Sequence, residues 1–496
     1  MNTEVSDEFQ KRKKIVKTAI IVSVILFVII LLLMIYFYIL ESKKLKFVIN
    51  TADASTSLKV TTTSVDGEEV NKGMVSLNNQ NLDLFVVKDE TYYFNIKSIC
   101  EILGYDYYKG EYNPANEDSD KCYIVNEGEY VSFANESNII KKQFYNSDKK
   151  TDTSSDTNSS NNLTPNIEKY TVEESIIKIE DNLYAPVDAI KIGFNVKLVS
   201  NGNTINLYSL SNLVKVYDEY AKQNGYDGIS EDFKNKRALV NDLIVVQENG
   251  KYGIYALDSN SENNTGKEII NTRYDSLEYV GNINQFIAKY SGKFGILSPE
   301  KEELTLPIEY DSLEFLSSEE LMLYIVSKNN KYGVISGNGD KIVPVEFERI
   351  GLNKLDDFSE QNITNPYILF DKYIVVYSNE KYGLYSVDGT ETTMETVYES
   401  LGCIAKDTAQ FVVDQNRNVQ MSDLYNTLII DAKSGENVVQ GIVVKYQGHY
   451  GVVGLDGKVL IPTEWDTIFF LKNKEGLTYY LASTEKAVTI NQLLGI

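Results

Sequence analysis

One histidine, one tryptophan and three cysteines in 496 residues leave this chain short of several kinds of chemistry. With His449 alone, no two-histidine zinc site, H-E-x-x-H helix or two-histidine iron centre can be built. A Ser-His-Asp or Cys-His nucleophile would have to use His449, which occupies a variable position of a repeated phrase where other copies carry Lys; it reads as an exposed residue. No phosphate-cradling G-x-x-x-x-G-K-[ST] or dinucleotide G-x-G-x-x-G occurs. Three cysteines without a C-x-x-C make no disulfide scaffold. Cys100 and Cys122 could pair in an oxidising compartment or serve as small buried hydrophobes, and the sequence leaves that open. Basic residues are scarce too: 48 Lys and Arg stand against 71 Asp and Glu, a net charge of −23. That argues against nucleic acid as a partner, because phosphate binding needs a basic face. A carboxylate pair for glycoside hydrolysis fits so acidic a chain, but nothing singles one out. We therefore assign no catalytic, cofactor-binding or metal-binding residue and expect no cofactor; ligand-binding residues are not identified.

What the chain does have begins with Thr18–Leu40, 23 residues without a charge. As a helix rising about 1.5 Å per residue it would span a hydrocarbon core of about 30 Å. A cleaved signal peptide would have a shorter apolar run and a small-residue site directly after it, but Glu41-Ser42-Lys43-Lys44 follows. Lys11, Arg12, Lys13, Lys14 and Lys17 precede the run. The positive-inside rule then places residues 1–17 in the cytoplasm and 41–496 outside, as a single-pass protein of the cell membrane.

Residues 41–72 read as a stalk. Two stretches then echo each other: TYYFNIKSICEILGYDYYKGEYN from Thr91, and NLYAPVDAIKIGFNVKLVSNGNTINLYS from Asn182. Each has an aromatic strand end, a short helix with an apolar stripe, a glycine expected to cap it (Gly104, Gly193), and another strand. Between them Thr151–Asn162 holds only Thr, Asp, Ser and Asn, the core of an expected disordered loop over 148–166. A helical connector over 211–238, with Ser211 as N-cap, follows. The duplicated pattern resembles the copper amine oxidase N-terminal-like domain over 73–210, through Tyr93-Phe94-Asn95-Ile96 with Leu103-Gly104-Tyr105 and Tyr184-Ala185-Pro186-Val187 with Ile192-Gly193-Phe194. The resemblance implies a small α+β domain and an envelope setting, and implies neither copper nor oxidase activity.

The C-terminal half, 239–496, repeats itself. One phrase recurs as GKYGIYALD, GKFGILSPE, NKYGVISGNGD, EKYGLYSVDG and GHYGVVGLDG, around Gly253, Gly295, Gly333, Gly383 and Gly451. A second follows each, as in TLPIEYDSLEFL from Thr305 and LIPTEWDTIFF from Leu460. A degenerate copy at Arg417–Met421, followed by Leu428-Ile429-Ile430, would fill the longest gap and make six units. The phrases resemble the WG repeat family, with Tyr or Phe in place of the usual Trp. Physically each unit reads as strands joined by turns, with the glycine allowing close backbone approach or a bulge. The repeated aromatics Tyr252, Phe294, Tyr332, Tyr382 and Tyr450 are expected to pack against the neighbouring unit. Asp275, Asp311, Glu348, Glu399 and Asp466 recur after the second aromatic. They suit a ladder binding cations or glycan hydroxyls, but turn and strand-end chemistry explains them better.

The expected fold is thus an N-terminal transmembrane helix, a small α+β domain and an all-β repeat domain of about six units, as a propeller-like ring or a solenoid. The expected function is non-catalytic binding of wall polymer or an envelope protein through the repeats, from a membrane anchor. A scaffold for a membrane complex is the alternative, and a carboxylate-pair hydrolase the weaker one.

Overall fold

The computed structural model describes residues 29–32, 34 and 44–495, except 65–70, 111–119, 127–128, 145–165, 258–265, 301–302, 318–321, 354–357, 359–360, 362, 364, 371, 390–391, 406–410, 415–416, 420–423, 474–475 and 484–485. Thr18–Leu40 lies outside these residues, apart from Ile29 to Leu32 and Met34, which are helical and exposed. Among the described residues no helix is long and apolar enough to cross a membrane. Spanning takes about 20 consecutive apolar residues. The expected single-pass anchor, and with it the placing of 41–496 outside the cell membrane, is therefore corrected: the structure does not support it. The expected loop at 148–166 also falls almost wholly outside the described residues.

The chain divides into two compact units, Met1–Ile140 with Thr171–Tyr217, and Lys141–Tyr170 with Asp218–Ile496. In the first unit the two echoing stretches meet. Their strands Thr91–Asn95 and Asn182–Pro186 pair antiparallel within a six-stranded sheet, with Phe94 opposite Ala185. Each strand runs straight into an eight-residue helix, α1 (Ile96–Leu103) and α2 (Val187–Phe194). Asn95 caps α1 by accepting the Ser98 N–H, and Gly104 closes it at φ 75°. Gly193 does not cap α2. Asn195 does so in the left-handed region, while Gly193 lies inside the helix, where a Cβ would meet the Phe133 ring at 2.4 Å. Lys46–Asn50, within the segment read as a stalk, is a sheet strand parallel to Thr204–Tyr208. Its Phe47 and Ile49 alternate inward, as a half-buried strand requires. Helix α3 (Leu210–Gln223) is capped by Ser209, which accepts the Asn212 N–H at 3.2 Å, rather than by Ser211. Cys100 and Cys122 are buried free thiols, not a disulfide. Burial pushes Cys100 up to about 12 and raises Cys122 further.

Among the described residues from Gly228 on, the second unit holds six antiparallel sheets of three to five strands in chain order, beside one two-stranded hairpin. Their successive first strands are Gly228–Ile229, Ser276–Val280, Ser312–Ser317, Arg349–Ile350, Ser400–Leu401 and Thr467–Asn473. The first five sheets contain the five anchor phrases; the sixth is three-stranded, has none, and ends in a short helix, Ile490–Leu494. The degenerate copy is not a unit. Arg417–Val419 forms a two-stranded hairpin with Phe411–Asp414, and Ile429–Ser434 joins the fifth sheet. One apolar core lies between each successive pair of sheets. Tyr274 and Ile254 of the first sheet meet Leu277 and Phe286 of the second, and at the far end Trp465 and Ile461 of the fifth meet Ile468 and Phe470 of the sixth. Here too the expected fold is corrected. The described strands form many small open sheets, with no closed barrel or ring, because each sheet keeps an unpaired edge.

Most of the strands Ile139–Phe144 and Asn166–Thr171 belongs to this unit, and a buried charge cluster sits there. Arg237 donates to Glu168 Oε2 at 2.8 Å, each side chain 5% exposed. The Tyr170 hydroxyl donates to the same oxygen at 2.7 Å, Arg237 also bonds that hydroxyl, and the Lys142 ammonium lies 5.8 Å over the Tyr170 ring. Burial alone would raise the Glu168 carboxyl. The Arg237 charge, hydrogen bonds from Arg237 and Tyr170, and the Lys142 charge outweigh it and hold the carboxyl below its usual range.

Candidate functional site: the sheet junctions

The strongest regularity lies where one sheet hands the chain to the next. Each anchor aromatic faces the aromatic of the following second phrase: Tyr252 opposite Tyr274, Phe294 opposite Tyr310, and Tyr332 opposite Phe347. Tyr382 faces Tyr398 and Tyr450 faces Trp465 in the same way. Directly after each pair the ladder slips, and the bulged partner strand presses its backbone onto the anchor glycine. A Cβ at Gly253, Gly333 or Gly451 would lie 2.6 Å from a carbonyl oxygen of that strand. This is why no side chain stands there.

Burial divides the two sets of aromatics. Four of the second-phrase aromatics, Tyr274, Tyr310, Phe347 and Trp465, are at most 5% exposed, whereas the anchor aromatics are half-buried and Tyr332 is 36% exposed. The expectation that the anchor aromatics fill the core between units is therefore modified. The second-phrase ring does so more completely, because the bulge turns it inward.

The acidic residue after that ring bridges two sheets. Its backbone N–H donates to a carbonyl on the next sheet at 2.8 to 2.9 Å in all five cases: Asp275, Asp311, Glu348, Glu399 and Asp466. Its carboxylate reaches back to the first residue of the preceding anchor strand. Lys251 pairs with Asp275 at 2.5 Å, Lys331 with Glu348 at 3.9 Å and Lys381 with Glu399 at 3.7 Å. Lys293 pairs with Asp311, and His449 with Asp466 at 3.7 Å. The carboxylates also accept backbone N–H groups from the tight turn of the next sheet: Asp311 from Asn329 at 2.7 Å, and Glu399 from Gly448 at 3.2 Å. The hydrogen bond from Lys293 leads in holding Asp311 below the usual carboxylate range, and that from Lys251 does the same for Asp275.

At three junctions a residue of the next sheet lies against the second-phrase ring: Tyr290 against Tyr274, Tyr446 against the half-buried Tyr398, and the Lys486 ammonium over Trp465 at 5.5 Å. At the second junction Lys328 bonds Glu309 beside Tyr310. Tyr290 and Tyr446 are 48% and 40% exposed. The carboxylate and its Lys or His partner thus recur at all five junctions, and an exposed ring stands beside them at the first and fourth. Sequence reasoning had the carboxylates and their turn role. It missed their cationic partners, although Lys251, Lys293, Lys331 and Lys381 recur at one position of the same phrase. His449, where Lys stands elsewhere, takes the same place in the fifth junction. Among the described residues no group of three or more His, Cys, Asp and Glu side chains could hold a metal ion.

Residues 299–332 match the family model WG containing repeat. The matched segment starts in the turn after the second sheet's anchor strand, crosses the second junction and ends at Tyr332. The chain carries a WG repeat and is β-rich. No curated protein matches it significantly.

Proposed function

We propose that this is a non-catalytic binding protein whose repeats recognise an extended partner, a wall polymer or an envelope protein, along the row of junctions. The observation that carries the reading is the fivefold recurrence of one arrangement, a cross-strand aromatic pair beside a carboxylate and its Lys or His partner, at successive sheets, with an exposed ring added at the first and fourth. A partner with a repeating structure can meet such a row several times, and weak contacts then add through effective concentration. Exposed rings offer stacking surface, and paired charges offer directional donors and acceptors. We extend the proposal to a copper amine oxidase N-terminal-like module over residues 73–210, supported by the paired strand–helix elements at Thr91–Leu103 and Asn182–Phe194.

The test is sedimentation of the full chain with insoluble wall polysaccharide, and with wall material stripped of protein. The double variant Tyr290→Ala with Tyr446→Ala removes two exposed rings, and its retention should fall at least tenfold if the row binds. Unchanged retention would refute the row. Capture only by protein-bearing material selects the envelope protein, co-purification of a membrane complex selects a scaffold, and turnover of a glycoside panel would refute the non-catalytic reading.

A further inference from the structure

In the first unit a cleft of about 470 Å³ opens between the strand Gln80–Lys88, the start of α1 and Asn182. This lies within the range of small-molecule sites, about 300–1,000 Å³. We propose that it binds a neutral polyhydroxylated ligand, a mono- or disaccharide, independently of the repeats. Four carboxamides line it: Gln80, Asn81, Asn95 and Asn182. Gln80, Asn81 and Asn182 each offer both donors and an acceptor, which is what a vicinal diol presents in return, while Asn95 is committed to capping α1. An anion would call for donors alone, and a cation for oxygen ligands alone.

The charges in the wall favour neither ion. Asp83 is held by Lys72 at 2.6 Å. Lys97 and Glu101 stand one turn apart on α1 and carry opposite signs. The wall is also fixed in place. Asn95 is 3% exposed and accepts the Ser98 N–H, while the Ser98 hydroxyl donates to the Asp83 carbonyl at 2.9 Å. Leu82 is the single apolar residue of the lining, so hydrogen bonds rather than ring stacking must carry the affinity. Hydrogen bonds exchanged with water yield little net energy each, and a dissociation constant on the order of 1 mM is expected.

The experiment uses the full chain and saturation-transfer NMR with cellobiose and N,N′-diacetylchitobiose, with glucuronate and glucosamine as charged controls. At least one neutral disaccharide should bind, and more tightly than either charged sugar. Asn81→Ala with Asn182→Ala should weaken it at least fivefold at unchanged melting temperature. Gln80→Leu, at an exposed position, gives a second reading if the double variant misfolds. The double variant Tyr290→Ala with Tyr446→Ala should leave this affinity intact, which separates the cleft from the repeats. No binding of either disaccharide, preference for a charged sugar, or unchanged affinity in the cleft variants would overturn the proposal.

Discussion

Arg237→Met is the most informative single change in the repeat unit. It keeps the length of the side chain but strands Glu168, a carboxylate 5% exposed on its side chain, without the guanidinium 2.8 Å away. Removing one partner of a buried ion pair costs about 3–5 kcal/mol, because the remaining charge keeps its desolvation penalty. Lys142 and the Tyr170 hydroxyl stay beside the carboxylate, so the lower end of that range is expected. Glu168→Gln with Arg237→Met removes both charges and should be less destabilised than Arg237→Met alone; the shortfall measures the coupling. The pH dependence has a definite sign. Glu168 is held below its usual range when folded, so its contribution is present above the unfolded value near about 4.3 and is lost as pH falls through the folded value. Wild type should therefore lose stability on acidification, and Glu168→Gln should lack that part of the slope. Urea unfolding followed by the fluorescence of Trp465, the only tryptophan and a core residue of this unit, reads each of these. A loss below about 1 kcal/mol for Arg237→Met would refute the assignment of a dry, coupled pair.

Three further outcomes are expected. Tyr310→Ala, at a ring 4% exposed, should cost about 3–5 kcal/mol, and Tyr332→Ala, at a ring 36% exposed, well under half of that; urea unfolding that ranks them the other way would return the anchor ring to the core. Gly295→Ala, whose Cβ would lie 2.7 Å from the Leu306 carbonyl oxygen, should destabilise the unit by about 1–3 kcal/mol in the same assay. Cys100, Cys122 and Cys403 are buried free thiols raised by burial, so a thiol reagent at pH 8 should leave them unlabelled in the native protein and label all three in denaturant.

The repeats were legible because a structural demand recurs in each copy. The glycine after the anchor aromatic is required wherever a bulged backbone presses in, and it marks five sheets correctly. Burial was not legible, because the two aromatics of a cross-strand pair look alike in sequence and only the bulge decides which turns inward. The sixth sheet escaped notice because it has no anchor phrase, and its place was given to Arg417–Met421, whose residues imitate one. Gly193 misled in the opposite way: a glycine near a helix end reads as a cap, yet here it makes room for Phe133. The Thr18–Leu40 reading rested on the length of the uncharged run and on its flanking residues. The junction chemistry was half visible, since each carboxylate lies next to a conspicuous aromatic while its Lys or His partner stands a phrase away.

The second phrase supplies the last strand of one sheet and the first strand of the next, as Glu303–Tyr310 and Ser312–Ser317 show. The period of the sequence is therefore out of step with the period of the sheets by one strand. A duplication of one sequence period inserts a full complement of strands and reproduces the same stitch on both sides. A cut at a phrase boundary instead leaves a sheet without its edge. Such a chain can gain or lose whole sequence periods with the stitch preserved, whereas a cut elsewhere disturbs two neighbouring sheets at once.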